Sequence, residues 1–103
     1  MRDRRTAPRA PFLCEVECED VQSGERPPNP RVNDLSTTGA FIDTTVTFAL
    51  GSIVNIRFKL PTIQVSVQAE VVNPMPLMGM GLRFRDLTPA QRVAIEEVVR
   101  TGQ

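Results

Sequence analysis

The chain has 103 residues, 41% of them apolar, with 12 basic and 12 acidic side chains and no histidine. That length supports one domain with a single modest core, and a formal net charge of zero argues against a general nucleic-acid binder, which carries a positive excess. The missing histidine removes the commonest general base and any Ser-His or Cys-His nucleophile pair, so no catalytic residues and no enzymatic activity are expected.

Residues 1–11 are basic, contain Pro8 and Pro11, and show no periodicity, which predicts a flexible arm. Residues 12–103 are expected to form one domain. Phe12, Cys14, Val16 and Cys18 alternate with Leu13, Glu15, Glu17 and Glu19, the pattern of a half-buried strand running to Asp20. Cys14 and Cys18 stand four residues apart on that strand, roughly 13 Å, beyond the reach of a disulfide. They read as buried thiols of a reducing compartment, and with no histidine beside them no metal site is expected.

Ser23 to Pro30 holds a Ser-Gly pair and three prolines, hence a loop. Arg31 to Leu35 is a short strand that turns through Ser36-Thr37-Thr38-Gly39 and returns as Gly39 to Thr44. Ile53 to Leu60 alternates with Val54, Ile56, Phe58 and Leu60 inward, and Ile63 to Val71 repeats the pattern after a Pro61-Thr62 turn. Asn73-Pro74-Met75-Pro76 breaks the strand, and Met78 to Phe84 forms the last one, with Arg83 outward. Met75, Met78 and Met80 read as loop and core fillers, and Gly79 and Gly81 as places of close approach.

Thr88-Pro89-Ala90-Gln91 then signals a helix start, with Thr as N-cap, Pro at the first helical position and Gln completing a capping box. The helix is predicted over about residues 89–100, ending near Gly102, with Ala90, Val93, Ala94, Ile95, Val98 and Val99 as its apolar positions. Six short strands and one helix make a mainly β domain, a small antiparallel barrel or a sandwich with the helix as a lid. The N-terminus lacks the apolar segment of a signal peptide. No apolar run approaches the roughly 20 residues of a membrane helix, so a cytoplasmic protein with no membrane insertion is expected.

Three motifs concentrate the remaining signal. The run Arg4-Arg5-Thr6-Ala7-Pro8-Arg9 supplies guanidinium forks that match two phosphate oxygens or the O6/N7 edge of guanine, and whose planes stack on purines. About 25 residues later, Asp34-Leu35-Ser36-Thr37-Thr38-Gly39 places Asp34 and Ser36 two apart along a strand, on one side of it. A carboxylate there accepts from guanine N1–H and N2–H, the hydroxyl adds a bond, and Gly39 allows positive φ or a close approach. The third motif is Gly79-Met80-Gly81-Leu82-Arg83-Phe84.

In this order the motifs resemble the PilZ family of bacterial cyclic di-GMP receptors, over nearly the whole chain. The resemblance implies a six-stranded antiparallel β-barrel with a C-terminal α-helix. It also implies a ligand site made of Arg5 and Arg9 from the Arg-x-x-x-Arg motif, with Arg4 as a third candidate, and of Asp34, Ser36 and Gly39 from the Asp-x-Ser-x-x-Gly motif. Arg4 before the motif tilts the expectation toward a self-intercalated ligand dimer. The implied function is a receptor whose arm closes over nucleotide and signals to a separate downstream protein. The competing class is a PilZ-fold adaptor that binds a protein partner, in motility or pilus machinery, without nucleotide. A single-stranded nucleic-acid barrel would want exposed aromatics, and Phe12, Phe41, Phe58 and Phe84 read as core.

Overall fold

A computed structural model describes residues 10–102. The six predicted strands are present: β1 (Ala10–Asp20), β2 (Arg31–Leu35), β3 (Gly39–Asp43), β4 (Ile53–Lys59), β5 (Gln64–Met75) and β6 (Gly79–Arg85), followed by α1 (Pro89–Thr101). All neighbouring strands pair antiparallel, in the order β1-β2-β3-β6-β5-β4, and β4 closes back on β1. The choice between barrel and sandwich is thus settled in favour of a closed barrel.

Alternation explains why the sheet closes as it does. On β4, Val54, Ile56 and Phe58 are at most 2% exposed while Asn55, Arg57 and Lys59 face solvent. Val65, Ala69 and Val71 of β5, Ile42 of β3 and Met80 and Leu82 of β6 meet them across the interior. Phe58 and Phe84 stack there at 6.3 Å between ring centroids. Each buried aliphatic or aromatic side chain contributes about 1.5–3 kcal/mol of transfer free energy, so the sheet surrounds one continuous core.

The two barrel ends are closed differently. At the end holding the β2–β3 and β4–β5 turns, α1 buries Ala94, Ile95 and Val98 against the core. Its capping box forms as predicted: the Thr88 hydroxyl accepts from Gln91 N–H at 3.1 Å and Gln91 Oε1 accepts from Thr88 N–H at 3.0 Å. Gly102, at φ 76°, ends the helix with its N–H on the Val98 carbonyl. Val93 is 60% exposed, so the helix buries a narrower stripe than its composition suggests. At the opposite end Phe48 of the β3–β4 connection is the buried plug. Around it Leu50, Leu77 and Met78 stand exposed, in segments 44–56 and 71–82 that contain no charged residue.

Two boundaries and one burial assignment depart from the sequence reading. β1 begins at Ala10, so Ala10 and Pro11 are strand rather than arm. β5 runs to Met75, through Asn73 and Pro74, where a break is predicted. Its pairing with β4 stops at Glu70, so the last residues of β5 form an outer edge where a proline costs no β4 ladder bond. Phe41 is half-buried between Ala40 and Ile42, both fully buried, and is not packed on the core with the other phenylalanines. It therefore faces outward, a correction to its assignment as a core residue.

Cys14 and Cys18 are both free thiols. Burial, reinforced by the nearby Asp20 charge, pushes the Cys18 thiol up to about 12, and burial raises Cys14 as well.

Candidate functional site

The Asp34–Gly39 segment sits on the barrel wall made by β2, β3 and β6, at the helix end. β2 enters it through a bulge: Val32 pairs with Ile42 and Asp34 with Phe41, which leaves Asn33 as the extra residue. The bulge resets the alternation, so Val32 and Leu35 are both fully buried although three apart. Asn33 and Asp34 consequently both remain half-buried on the outer side. Asn33 secures the kink by donating to both carboxylate oxygens of Asp43, at 3.0 and 3.1 Å.

Ser36 does not share that outer face. β2 ends at Leu35, and Ser36 is a fully buried turn residue. Its Oγ accepts from the backbone N–H groups of Thr38 and Gly39, both at 3.1 Å, and donates to the Gly39 carbonyl at 3.3 Å. Thr38 Oγ1 lies 3.0 Å away. Ser36 thus fixes the turn from within, an ST-type motif, and its position relative to Asp34 differs from the shared face expected of a continuous strand.

Gly39 is required by close approach. A Cβ there would collide with the carbonyl oxygen of Leu82 and come within 3.2 Å of Arg83 Cα. Only a residue without a side chain lets β3 seat on β6 at this point, where Gly39 pairs with Arg83 and Phe84 N–H donates to the Thr38 carbonyl at 2.8 Å. Arg83 projects outward and binds Glu70 at 2.8 Å. Beside the turn is an open cavity of about 450 Å³ lined by Thr37, Thr38, Arg83, Asp86 and Arg92 among others. Sequence reading gives no role to Thr38 within the motif and does not bring Arg92 to it; for Thr38 the consecutive hydroxyls of Ser36-Thr37-Thr38 are the available signal.

The structure therefore places Asp34 near the end of β2 and Ser36 and Gly39 at the turn that follows, Ser36 pinning the turn and Gly39 allowing the close approach of β6. Arg4, Arg5 and Arg9 lie outside the described residues. Among the described residues, arginines on the opposite side are paired with carboxylates: Arg57 binds Glu17 at 2.9 Å and Arg26 binds Glu19 at 3.3 Å. Among the described residues no group of three or more His, Cys, Asp or Glu is placed to hold a metal ion. No helix among them is long and apolar enough to cross a membrane.

Comparison with known structures places the fold. The chain superposes on the PilZ domain of YcgR from Escherichia coli with c-di-GMP at a TM-score of 0.75 and 12% identity, covering 96% of this chain and 91% of that one. The Bacillus subtilis inhibitor of motility MotI (DgrA) aligns at a TM-score of 0.77 and 17% identity, over 98% of this chain and 52% of its own. The PilZ domain of CeSA from a cellulose-synthesizing bacterium aligns at 0.68 and 18% identity, over 89% of this chain and 94% of its own. At such identities the likeness is one of fold. No curated protein matches the sequence significantly. The family model for the PilZ domain, however, matches residues 3–101, nearly the full length. The chain belongs to the PilZ domain family.

Proposed function

We propose that the chain is a non-catalytic receptor for cyclic di-GMP. One observation carries the reading. β1 begins at Ala10, which pairs with Leu35, directly before the Ser36 turn. The segment bearing Arg4, Arg5 and Arg9 is therefore tethered one peptide bond away from a residue laddered to the Asp-x-Ser-x-x-Gly strand. Two motifs about 25 residues apart in sequence join the barrel at the same place.

In this reading the guanidinium groups of Arg5 and Arg9 grip phosphate oxygens and guanine edges, with Arg4 serving a second, intercalated ligand. Asp34 accepts from guanine N1–H and N2–H. Ser36 and Gly39 act by holding the turn and the β3–β6 approach rather than by direct contact. A segment that orders around a ligand creates a new surface for a downstream protein. That the YcgR domain was solved with c-di-GMP supports the ligand's identity.

Isothermal titration with cyclic di-GMP, against GTP and cyclic di-AMP, tests the proposal. Saturable, guanine-selective binding is expected, with two ligands per chain if Arg4 serves an intercalated pair. Arg5→Ala or Arg9→Ala should each weaken it roughly ten- to hundredfold, the worth of one charge-assisted contact. Flat heats with an unchanged melting temperature would reject the receptor.

The second reading is a protein-binding adaptor that works without nucleotide. It is favoured by the two uncharged segments 44–56 and 71–82 at the far barrel end, where Leu50, Leu77 and Met78 are 61–79% exposed, and by the likeness to an inhibitor of motility. Under it, substitution of Arg5, Arg9 or Asp34 would leave partner binding unchanged.

A further inference from the structure

The pairing registers place four residues on one line across the outer wall. Asp34 of β2 pairs with Phe41 of β3, Phe41 with Gly81 of β6, and Gly81 with Asn73 of β5. Alternation fixes the side they face. Ala40, Ile42 and Met80 are fully buried and Leu82 nearly so, so Phe41 and Gly81 point outward. A Cβ built on Gly81 would stand 3.1 Å from the Cβ of Asn73, so Asn73 faces the same way.

Both polar ends of the line owe their direction to bulges. Asp34 lies two residues after fully buried Val32, and Asn73 two after fully buried Val71. Regular strands would aim both into the core. A register shift between Val32 and Asp34, and another between Val71 and Asn73, turns each outward instead. Bulges that re-aim a side chain are a recurrent device beside functional sites, and here two of them in different strands converge on one line.

Beside this line the Phe41 ring lies over the outer face of β6, where Gly79 and Gly81 carry no side chain. A Cβ on Gly79 would come 2.7 Å from Phe41 Cε2 and 3.0 Å from Cζ, so the ring occupies the space that the glycine leaves. Gly81 adds no side chain next to it. Phe41 is thus an apolar surface flanked by a carboxylate on one side and a carboxamide on the other.

We propose that this line is a purine platform: one guanine base stacks on Phe41, with Asp34 at its N1/N2 edge and the Asn73 amide donating to O6 or N7. The assignment rests on the receptor reading above and extends the site beyond its motif residues onto β5 and β6. Three strand spacings of about 4.8 Å separate Asp34 and Asn73, about 14 Å between backbones. In the proposed complex both side chains extend toward the base, so that a bicyclic ring and one hydrogen bond at each edge fill the gap. Stacking on an aromatic face supplies affinity, and the two edges supply base selectivity.

The chain contains no tryptophan and no tyrosine, so Phe41→Trp introduces a single fluorophore at the proposed stack. Leu77→Trp, at the far end of the barrel, is the control. Titration with cyclic di-GMP should quench Phe41→Trp saturably and leave Leu77→Trp unchanged. Phe41→Leu, which keeps an apolar cover over Gly79, should retain the wild-type melting temperature yet bind roughly tenfold more weakly or worse. Asn73→Ala should weaken binding about three- to tenfold and narrow the preference over cyclic di-AMP. Wild-type binding by calorimetry together with full affinity in Phe41→Leu and an unresponsive Phe41→Trp would overturn the platform while leaving the receptor standing. Absence of wild-type binding would remove both.

Discussion

The barrel has two walls built by different rules. β4 pairs with β5 over seven consecutive positions, Ile53↔Glu70 to Lys59↔Gln64, without a shift, and neither strand contains a glycine. The β2–β3–β6 side contains register shifts at Val32/Asp34 and Val71/Asn73 and seats three glycines at strand contacts. The regular wall spends its residues on core and on exposed ion pairs. The irregular wall gives up regular pairing and side-chain volume, and in return presents a carboxylate, a hydroxyl-pinned turn and an aromatic ring. β5 belongs to both, regular to Val71 and bulged beyond it. Where a barrel carries chemistry, the departures from period two are the place to look.

Substitutions can break this contrast or sharpen it. The largest effect is expected for Gly39→Ala, because the new methyl meets backbone, the Leu82 carbonyl, rather than a side chain that can move. A loss of about 4 kcal/mol, above the usual range because backbone cannot yield, should appear in urea unfolding, together with loss of ligand binding. Ile56→Ala on the regular wall should cost about 3 kcal/mol by leaving a cavity under a residue 2% exposed. In conditions where it stays folded, its ligand affinity should equal that of the wild type. An affinity change there would show that the walls are coupled.

Ser36→Ala should cost about 2 kcal/mol, since it orphans the N–H groups of Thr38 and Gly39 in a buried turn. Asp34→Ala provides the sharpening partner: it should abolish guanine selectivity with little change in stability. If the two variants exchange these signatures, the turn and ligand roles are reversed. The smallest effect is expected for Arg57→Ala. Its pair with Glu17 is 2.9 Å long, but both side chains are more than half exposed. Thermal unfolding should detect no more than about 0.5 kcal/mol.

Much of this was legible in the sequence because the signals were local. Strict alternation located β4 and most of β5, and Thr88, Pro89 and Gln91 announced the helix with a cap that forms as written. The bulges were not legible, because nothing in the identity of Asn33 or Val72 says that a residue will be left unpaired. The other misses each have their own cause. Asp34 and Ser36 were expected on one face of an unbroken strand, but the strand ends between them. Phe41 was assigned to the core on its apolarity, although its parity with buried Ala40 and Ile42 already argued otherwise. Asn73-Pro74 looked like the end of β5 because the sequence could not reveal that β4 stops short of it.

That overhang of β5 has a consequence for life at high concentration. A closed barrel conceals most of its strand edges, and past Val71, whose N–H still donates to the Ser52 carbonyl, the end of β5 has no β4 partner. The stretch is interrupted by a register shift at Val72 and by Pro74, which has no amide hydrogen to offer an incoming chain. Strand-on-strand accretion is therefore disfavoured at this seam, even though Val72 and Met75 beside it are exposed apolar side chains. The domain can keep exposed apolar side chains at this edge without offering a regular ladder to a second chain.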